Sequence, residues 1–276
     1  MSGLGWLDVS NLDFNALLLL EPLHASYLAQ RQPTEAMGTA LAAHPAVRWY
    51  LAQIHSPIQT FIDRSLTLAN HNPTPEELRN AELNVLDSMH DWLIYVLDPA
   101  QYDRLGFLAW DNTSLLSMAD FNGKVVLDIG SGTGRLAFTV APYARAVYAV
   151  EPVANLRRYL WQKRAQMGLE NVYPSDGLLT QIPFEDNFAD ILMAGHVFGD
   201  SFESEYAEMC RVVHDGGMIL LHPGTSVNHD EDAHHFLLSK GFKFEIFEEP
   251  GDGLKRKYWQ TIHKPQPPKE HSNDRR

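Results

Sequence analysis

Val125-Val126-Leu127-Asp128-Ile129-Gly130-Ser131-Gly132-Thr133-Gly134 is the stretch whose reading decides the fold. Its first half is a short β-rich run without polar alternation, as expected of a central parallel strand covered on both faces. The second half places glycines at 130, 132 and 134, and the helical pattern Arg135 to Tyr143 follows. Glycines are required where a chain turns sharply and its bare backbone must approach a ligand. The spacing narrows the ligand. A dinucleotide fingerprint, G-x-G-x-x-G, would need glycine at 135 or 137, where Arg135 and Ala137 stand. No Gly-Lys-Ser/Thr follows, which excludes a P-loop.

Outward from this loop, strand and helix alternate. Strands are expected at Ala146 to Val150, Asn171 to Tyr173, Asp190 to Ala194 and Met218 to Leu221, with helices over Ala154 to Met167, up to Val213, and His234 to Lys240. Lys243 to Glu248 and Lys255 to Ile262 flank Pro250-Gly251-Asp252-Gly253, a hairpin signal. The implied class is α/β, a doubly wound seven-stranded sheet with a terminal antiparallel hairpin, preceded by an N-terminal helical cap. Residues 1–119 form that cap or lid, 120–264 the core, and 265–276 a proline-rich charged tail expected to be disordered. Within the first part, Ala46 to Leu68 reads as one helix. Thr74-Pro75-Glu76-Glu77 reads as a capping box opening a helix that runs to Leu97, where Asp98-Pro99 stops it. Trp110 to Met118 is a further amphipathic piece.

Val126 to Gly134 resembles the first motif of class I S-adenosylmethionine-dependent methyltransferases, and the resemblance covers most of residues 120–263. Val147-Tyr148-Ala149-Val150-Glu151-Pro152 is similar to the second-strand motif, its acid 17 residues after Gly134. A carboxylate there can accept hydrogen bonds from both ribose hydroxyls. Ser175-Asp176-Gly177, with Ile182 to Asp190, resembles the region of the third and fourth strands, where the acid and its neighbours Gly177 and Leu178 flank the adenine. Arg211 to Gly217 resembles the motif before the fifth strand, although Asp215 replaces the usual proline and His214 a frequent lysine. The broad resemblance is to the group containing the ubiquinone and menaquinone methyltransferases, which act on small molecules.

The resemblance implies S-adenosyl-L-methionine as cofactor, held by Asp128, Gly130, Ser131, Gly132, Gly134, Glu151, Pro152, Asp176, Gly177, Leu178, Gly195 and His196. Such a donor carries its own leaving group, so the protein has to align an acceptor and exclude water. A base helps only if the acceptor loses a proton. His196, after the fourth strand, is the candidate for that catalytic role, with packing against the methionine end as the alternative. His222, after the fifth, is the lesser candidate. Trp110, Phe107 and Tyr102-Asp103-Arg104 precede the first strand and either shape the acceptor pocket or pack the cap.

Composition bounds the rest. The chain has 276 residues, 45% hydrophobic and 21% charged, with a formal net charge of −13. That field repels polyanions, so nucleic acid is not the expected partner; the first 120 residues carry no lysine, five arginines and fourteen carboxylates. A small-molecule methyl acceptor, neutral or cationic, fits better. The single cysteine, Cys210, excludes an internal disulfide, and its helical setting favours burial over nucleophilic use. His229, Asp230, Glu231, Asp232, His234 and His235 contain metal-ligand types, but adjacent His234 and His235 point about 100° apart on a helix, so no metal is expected. No run is long enough to span a membrane, and no Lys or Arg precedes Arg31 as a signal peptide would require, so a cytoplasmic protein is expected. Nothing sets the oligomeric state. A cofactor-binding sensor or scaffold, or an NAD-dependent oxidoreductase on a similar fold, are the competing readings.

Overall fold

A computed structural model describes residues 6–264, so the expected disordered tail lies outside the described residues. The chain divides into two compact units, Met1–Ala109 with Glu151–Gly168, and Trp110–Val150 with Leu169–Arg276.

The first unit is helical. It contains α1 (Pro22–Gln30), α2 (Glu35–Ala43), α3 (Pro45–Ile54), α4 (Gln59–Leu66), α5 (Pro75–Asp87), α6 (His90–Leu97) and the short α7 (Pro99–Tyr102). Leu17, Leu28, Leu41, Leu51, Ile62, Leu86 and Leu93 are fully buried in one apolar cluster. Each contributes about 1.5–3 kcal/mol relative to exposure. The expected capping box is present: the Glu77 N–H donates to Thr74 Oγ1 at 3.3 Å, and the Thr74 N–H to Glu77 Oε2 at 2.8 Å.

Two long helices expected here are each two. The pattern 46–68 breaks at His55 (φ −151°) because Pro57, inside a continuous helix, would clash with the carbonyl four residues earlier. The pattern 75–97 breaks at Met89 (φ −126°), where the Ser88 hydroxyl donates to the Val85 carbonyl at 2.7 Å and offers the chain a local alternative to helix.

The second unit opens on the single-turn α8 (Thr113–Leu116), shorter than the expected amphipathic piece, followed by β1 (Val125–Ile129), α9 (Arg135–Val140) and β2 (Ala146–Val150). The chain then contributes α10 (Ala154–Gln166) to the first unit. It returns with β3 (Val172–Ser175), β4 (Ala189–Ala194), α11 (Phe202–Val212), β5 (Val213–Leu221), α12 (Glu231–Ser239), β6 (Lys243–Glu249) and β7 (Gly253–Thr261). These strands form one seven-stranded sheet in the order β3-β2-β1-β4-β5-β7-β6. β1 to β5 pair in parallel, and β7 runs antiparallel to β5 and β6. The expected sheet and closing hairpin are therefore present. The strand β5 begins earlier than expected, since Asp215-Gly216-Gly217 is a register irregularity within it, with Gly216 at φ +82°. Met209 and Val212 of α11 and Leu237 of α12 pack with Leu127, Leu192 and Ile219 of the sheet. The Asp190 carboxylate accepts from the Val125 N–H at 2.7 Å, tying the start of β1 to β4.

Candidate functional site

Register explains why the residues picked from sequence are found together. One row across the parallel strands reads Ser175, Val150, Ile129, Ala194 and Leu221. The next residue of each strand, where the sheet gives way to loops, is Asp176, Glu151, Gly130, Gly195 and His222. Ligands in open α/β sheets sit beyond the carboxyl ends of the strands, which is this edge.

At the centre, the Gly130 and Ser131 N–H groups both donate to the Val150 carbonyl, at 2.8 and 3.1 Å. Gly130, Gly132 and Gly134 adopt φ of +66°, +54° and +85°, a conformation that costs other residues about 1–2 kcal/mol each. Ser131 is buried and its hydroxyl donates to the Asp128 carbonyl at 2.6 Å. The buried Asp128 carboxylate accepts from the Ala137 N–H at 2.9 Å, so it braces the first turn of α9 against β1. Glu151, buried, accepts from the Val153 N–H at 2.9 Å, which fixes its rotamer, and Pro152 lies between them. Beyond β3, Asp176 and Leu178 are exposed; Leu178 pairs with Gln181, and a Cβ on Gly177 would meet Val150 Cγ1 at 2.8 Å.

On the other side of the loop, a Cβ on Gly195 would meet the His222 carbonyl at 2.8 Å. His196 follows at φ +59°, one of two non-glycine residues in the left-handed region among the described residues. Its N–H donates to the Pro223 carbonyl at 3.1 Å, and its Nε2 lies 2.8 Å from Oε1 of Glu249, the last residue of β6. Glu249 is completely buried, and Lys255 Nζ stands 3.7 Å from its other oxygen. His196, Phe198, Phe202, His229, Asp230 and Glu231 line a cleft of about 460 Å³. Sequence reasoning missed Glu249, since nothing in the pattern of β6 links it to His196.

His222 is fully buried, stacked on Trp110 at 4.5 Å, with Nε2 2.9 Å from the Ser114 hydroxyl. Burial, reinforced by the positive fields of Lys257, His196 and Arg135, lowers its pKa to about 3. A neutral, enclosed ring of this kind is a packing element, and the Arg135 guanidinium lies over the Trp110 ring, 3.9 Å from its centroid. In the first unit, Asp103 is engaged by Lys163 at 2.7 Å and Tyr159 at 3.0 Å, and Phe107 stacks on Trp6 at 5.3 Å. Three members of the histidine and acid group around α12 are likewise engaged: His234 Nδ1 with the Tyr258 hydroxyl at 2.8 Å, Glu231 with Arg256, and Asp230 with the Ser226 N–H at 2.6 Å. Cys210 is half-buried, and burial pushes its thiol pKa up, away from nucleophilic use.

Comparison with known proteins agrees with this architecture. Residues 127–221 match the family model described as a methyltransferase domain. An "uncharacterized methyltransferase" of Geobacillus thermodenitrificans is 27% identical over 167 residues, covering 59% of this chain and 70% of the relative. The uncharacterized methyltransferase YcgJ of Bacillus subtilis is 31% identical over 99 residues, 35% of this chain and 39% of YcgJ. Among solved structures, a SAM-dependent methyltransferase from Aquifex aeolicus superimposes with a TM-score of 0.50 at 20% identity, covering 60% of this chain and 100% of that one. Residues 127–221 thus match a methyltransferase-domain model, and the sheet that contains them has the fold of the Aquifex protein.

Proposed function

We propose that the protein transfers the methyl group of S-adenosyl-L-methionine to a small-molecule acceptor. The observation that carries this reading is the register row: it leads one step later to a bare glycine turn, an oriented buried carboxylate and a loop acid, on neighbouring strands of a methyltransferase domain. These groups fit the cofactor chemically. Left-handed Gly130, Gly132 and Gly134 offer backbone without Cβ atoms, and Asp128 and Ser131 hold that loop in shape. Glu151, preset by Val153, accepts from vicinal hydroxyls, with Pro152 limiting the chain beside it. Asp176, Gly177 and Leu178 take the base, and Gly195 and His196 the amino-acid end. Bound there, the cofactor supplies a methyl on a cationic sulfur that needs no further activation. The chain's own task is to hold the acceptor in line and keep water out.

Two features support a small neutral or cationic acceptor: the net charge of −13 and the resemblance to quinone-type methyltransferases. Among the described residues no helix is long and apolar enough to cross a membrane, and we place the protein in the cytoplasm. Calorimetry tests the reading. S-adenosylmethionine and its demethylated product are expected to bind and NAD not to; Glu151→Ala is expected to weaken both by about 1–3 kcal/mol, the range for a charged hydrogen-bond partner. Binding of NAD alone, or an unaffected Glu151→Ala, would overturn it.

A further inference from the structure

The helix that follows Glu151 begins without a cap of its own. α10 carries no acidic residue in its first turn, and its N-cap, Val153, offers no side-chain acceptor. The first N–H groups of a helix have no intrahelical partners, and the positive end of the helix dipole lies among them. Here the acceptors come from further away. Glu151 Oε1 takes the Val153 N–H at 2.9 Å. The Glu21 carboxylate, 133 positions before Ala154, takes the Ala154 N–H with both oxygens, at 2.9 and 2.8 Å. A serine or aspartate at 153 would cap this end locally, and Ala154 is exposed, so water would satisfy its N–H as well. What a distant carboxylate adds over either is a fixed position.

Glu21 is itself anchored. It is the N-cap of α1, its N–H donates to His24 Nδ1 at 3.0 Å, and the Leu20 carbonyl before it accepts from the Tyr50 hydroxyl at 2.7 Å. The turn it meets is tied down too. Arg157 Nη1 donates to the Glu151 carbonyl at 2.6 Å, and Asn155 Nδ2 to the Tyr95 and Val96 carbonyls at 3.2 and 3.1 Å. All of these residues belong to the helical unit. We infer that Glu21 is a positioning residue of the cofactor site, clamping Ala154 so that the turn after Glu151 keeps the Glu151 carboxylate in the rotamer that accepts from the ribose hydroxyls. The inference rests on the S-adenosylmethionine reading above. The Val153 and Ala154 N–H groups lie in consecutive peptide planes hinged at the Val153 Cα, so fixing the second limits the first. Two hydrogen bonds to vicinal hydroxyls need a carboxylate held to about 0.5 Å, which a turn free to rock does not provide. Glu21 thus acts on cofactor affinity through Glu151.

Calorimetry on the full chain tests this with two ligands, S-adenosylhomocysteine and its 2′,3′-dideoxy analogue, which has no hydroxyls for Glu151. The variant is Glu21→Asp. It keeps the charge and a favoured N-cap for α1, but its carboxylate falls one methylene short of Ala154. It is expected to bind S-adenosylhomocysteine about fivefold more weakly, a fraction of the loss caused by Glu151→Ala. The dideoxy analogue should bind it as it binds wild type. In a Glu151→Ala background Glu21→Asp should cost nothing further, since no carboxylate is left to orient. Glu21→Gln, which keeps the reach and one acceptor oxygen, should lose less than Glu21→Asp. An equal loss for both ligands, or the same loss in the Glu151→Ala background, means a structural role and overturns the inference. Unchanged S-adenosylhomocysteine affinity in Glu21→Asp overturns it as well, and leaves the methyltransferase reading standing. A wild-type chain that binds neither S-adenosylmethionine nor S-adenosylhomocysteine overturns both.

Discussion

A Cβ placed on Gly130 would lie 2.3 Å from Val197 Cγ1, in a backbone already at φ +66°. Two separate costs follow for Gly130→Ala, one conformational and one of overpacking, together about 2–4 kcal/mol. Val197→Ala in the same chain should restore the packing share and leave the conformational share, so the pair is expected to be non-additive in urea unfolding. A Gly130→Ala protein as stable as wild type would show that the loop has another shape. This residue was legible in sequence because a glycine turn between a strand and a helix is a local signal: strand, spacing and helix all lie within about ten positions. Glu249 was not, because its partner His196 is 53 positions away and only the pairing of β6 with β7, and of β7 with β5, carries it to the site. The enclosure of His222 against Trp110 and Ser114 was hidden for the same reason; Pro223 and Gly224 announced a turn, and nothing in the sequence announced the stack.

Elements were readable where their ends are chemical and less so where their middles are interrupted. Thr74 and Glu77 exchange hydrogen bonds with each other's backbone, with Pro75 at the first helical position, and the sequence alone located that end of α5. Since both side chains are at the surface, the cap is a local term. Thr74→Ala is expected to destabilise the protein by about 1 kcal/mol, measured as a shift of the urea midpoint at constant slope. No shift would mean that solvent serves the exposed N–H groups equally well. By contrast, the apolar periodicity running through 46–68 and 75–97 continues across His55 and Met89, because both halves of each stretch bury their faces in the same cluster. Periodicity reports the buried face and is blind to a break that preserves it. The steric conflict at Pro57 and the hydroxyl bond of Ser88 decide the matter instead. The same distinction holds at β5, where pairing with β4 resumes at Met218 after the glycine irregularity and Ile219, Leu220 and Leu221 are all buried.

For the molecule as a whole, each unit encloses a histidine that burial holds in its neutral form. Burial lowers the pKa of His24 in the first unit to about 4 and that of His222 in the second to about 3, against 6.5 in the unfolded chain. His24 Nδ1 accepts from the Glu21 N–H at 3.0 Å, which itself requires an unprotonated nitrogen there. The sign follows from proton uptake. Above pH 6.5 neither state binds these protons and the stability is complete; below it the unfolded chain takes them up and the folded chain does not, so stability falls as pH falls toward 4. Each ring contributes a slope approaching about 1.4 kcal/mol per pH unit, and His234, also held low by burial, acts in the same direction. Carboxylates such as Glu208, lowered by its bonds to Arg211, and Asp190, lowered by the Val125 N–H and His214 against the opposing effect of burial, lose their stabilising share only below their ordinary values of 4.5 and 3.8. The interval from pH 6.5 to 5 therefore belongs to the histidines. Urea unfolding followed across it should show stability dropping with acidification, and His222→Gln should flatten the dependence of the transition to which the sheet unit belongs while leaving the His24 contribution in place. A stability independent of pH over that interval would mean that these rings are protonated, or reach water, in the folded chain.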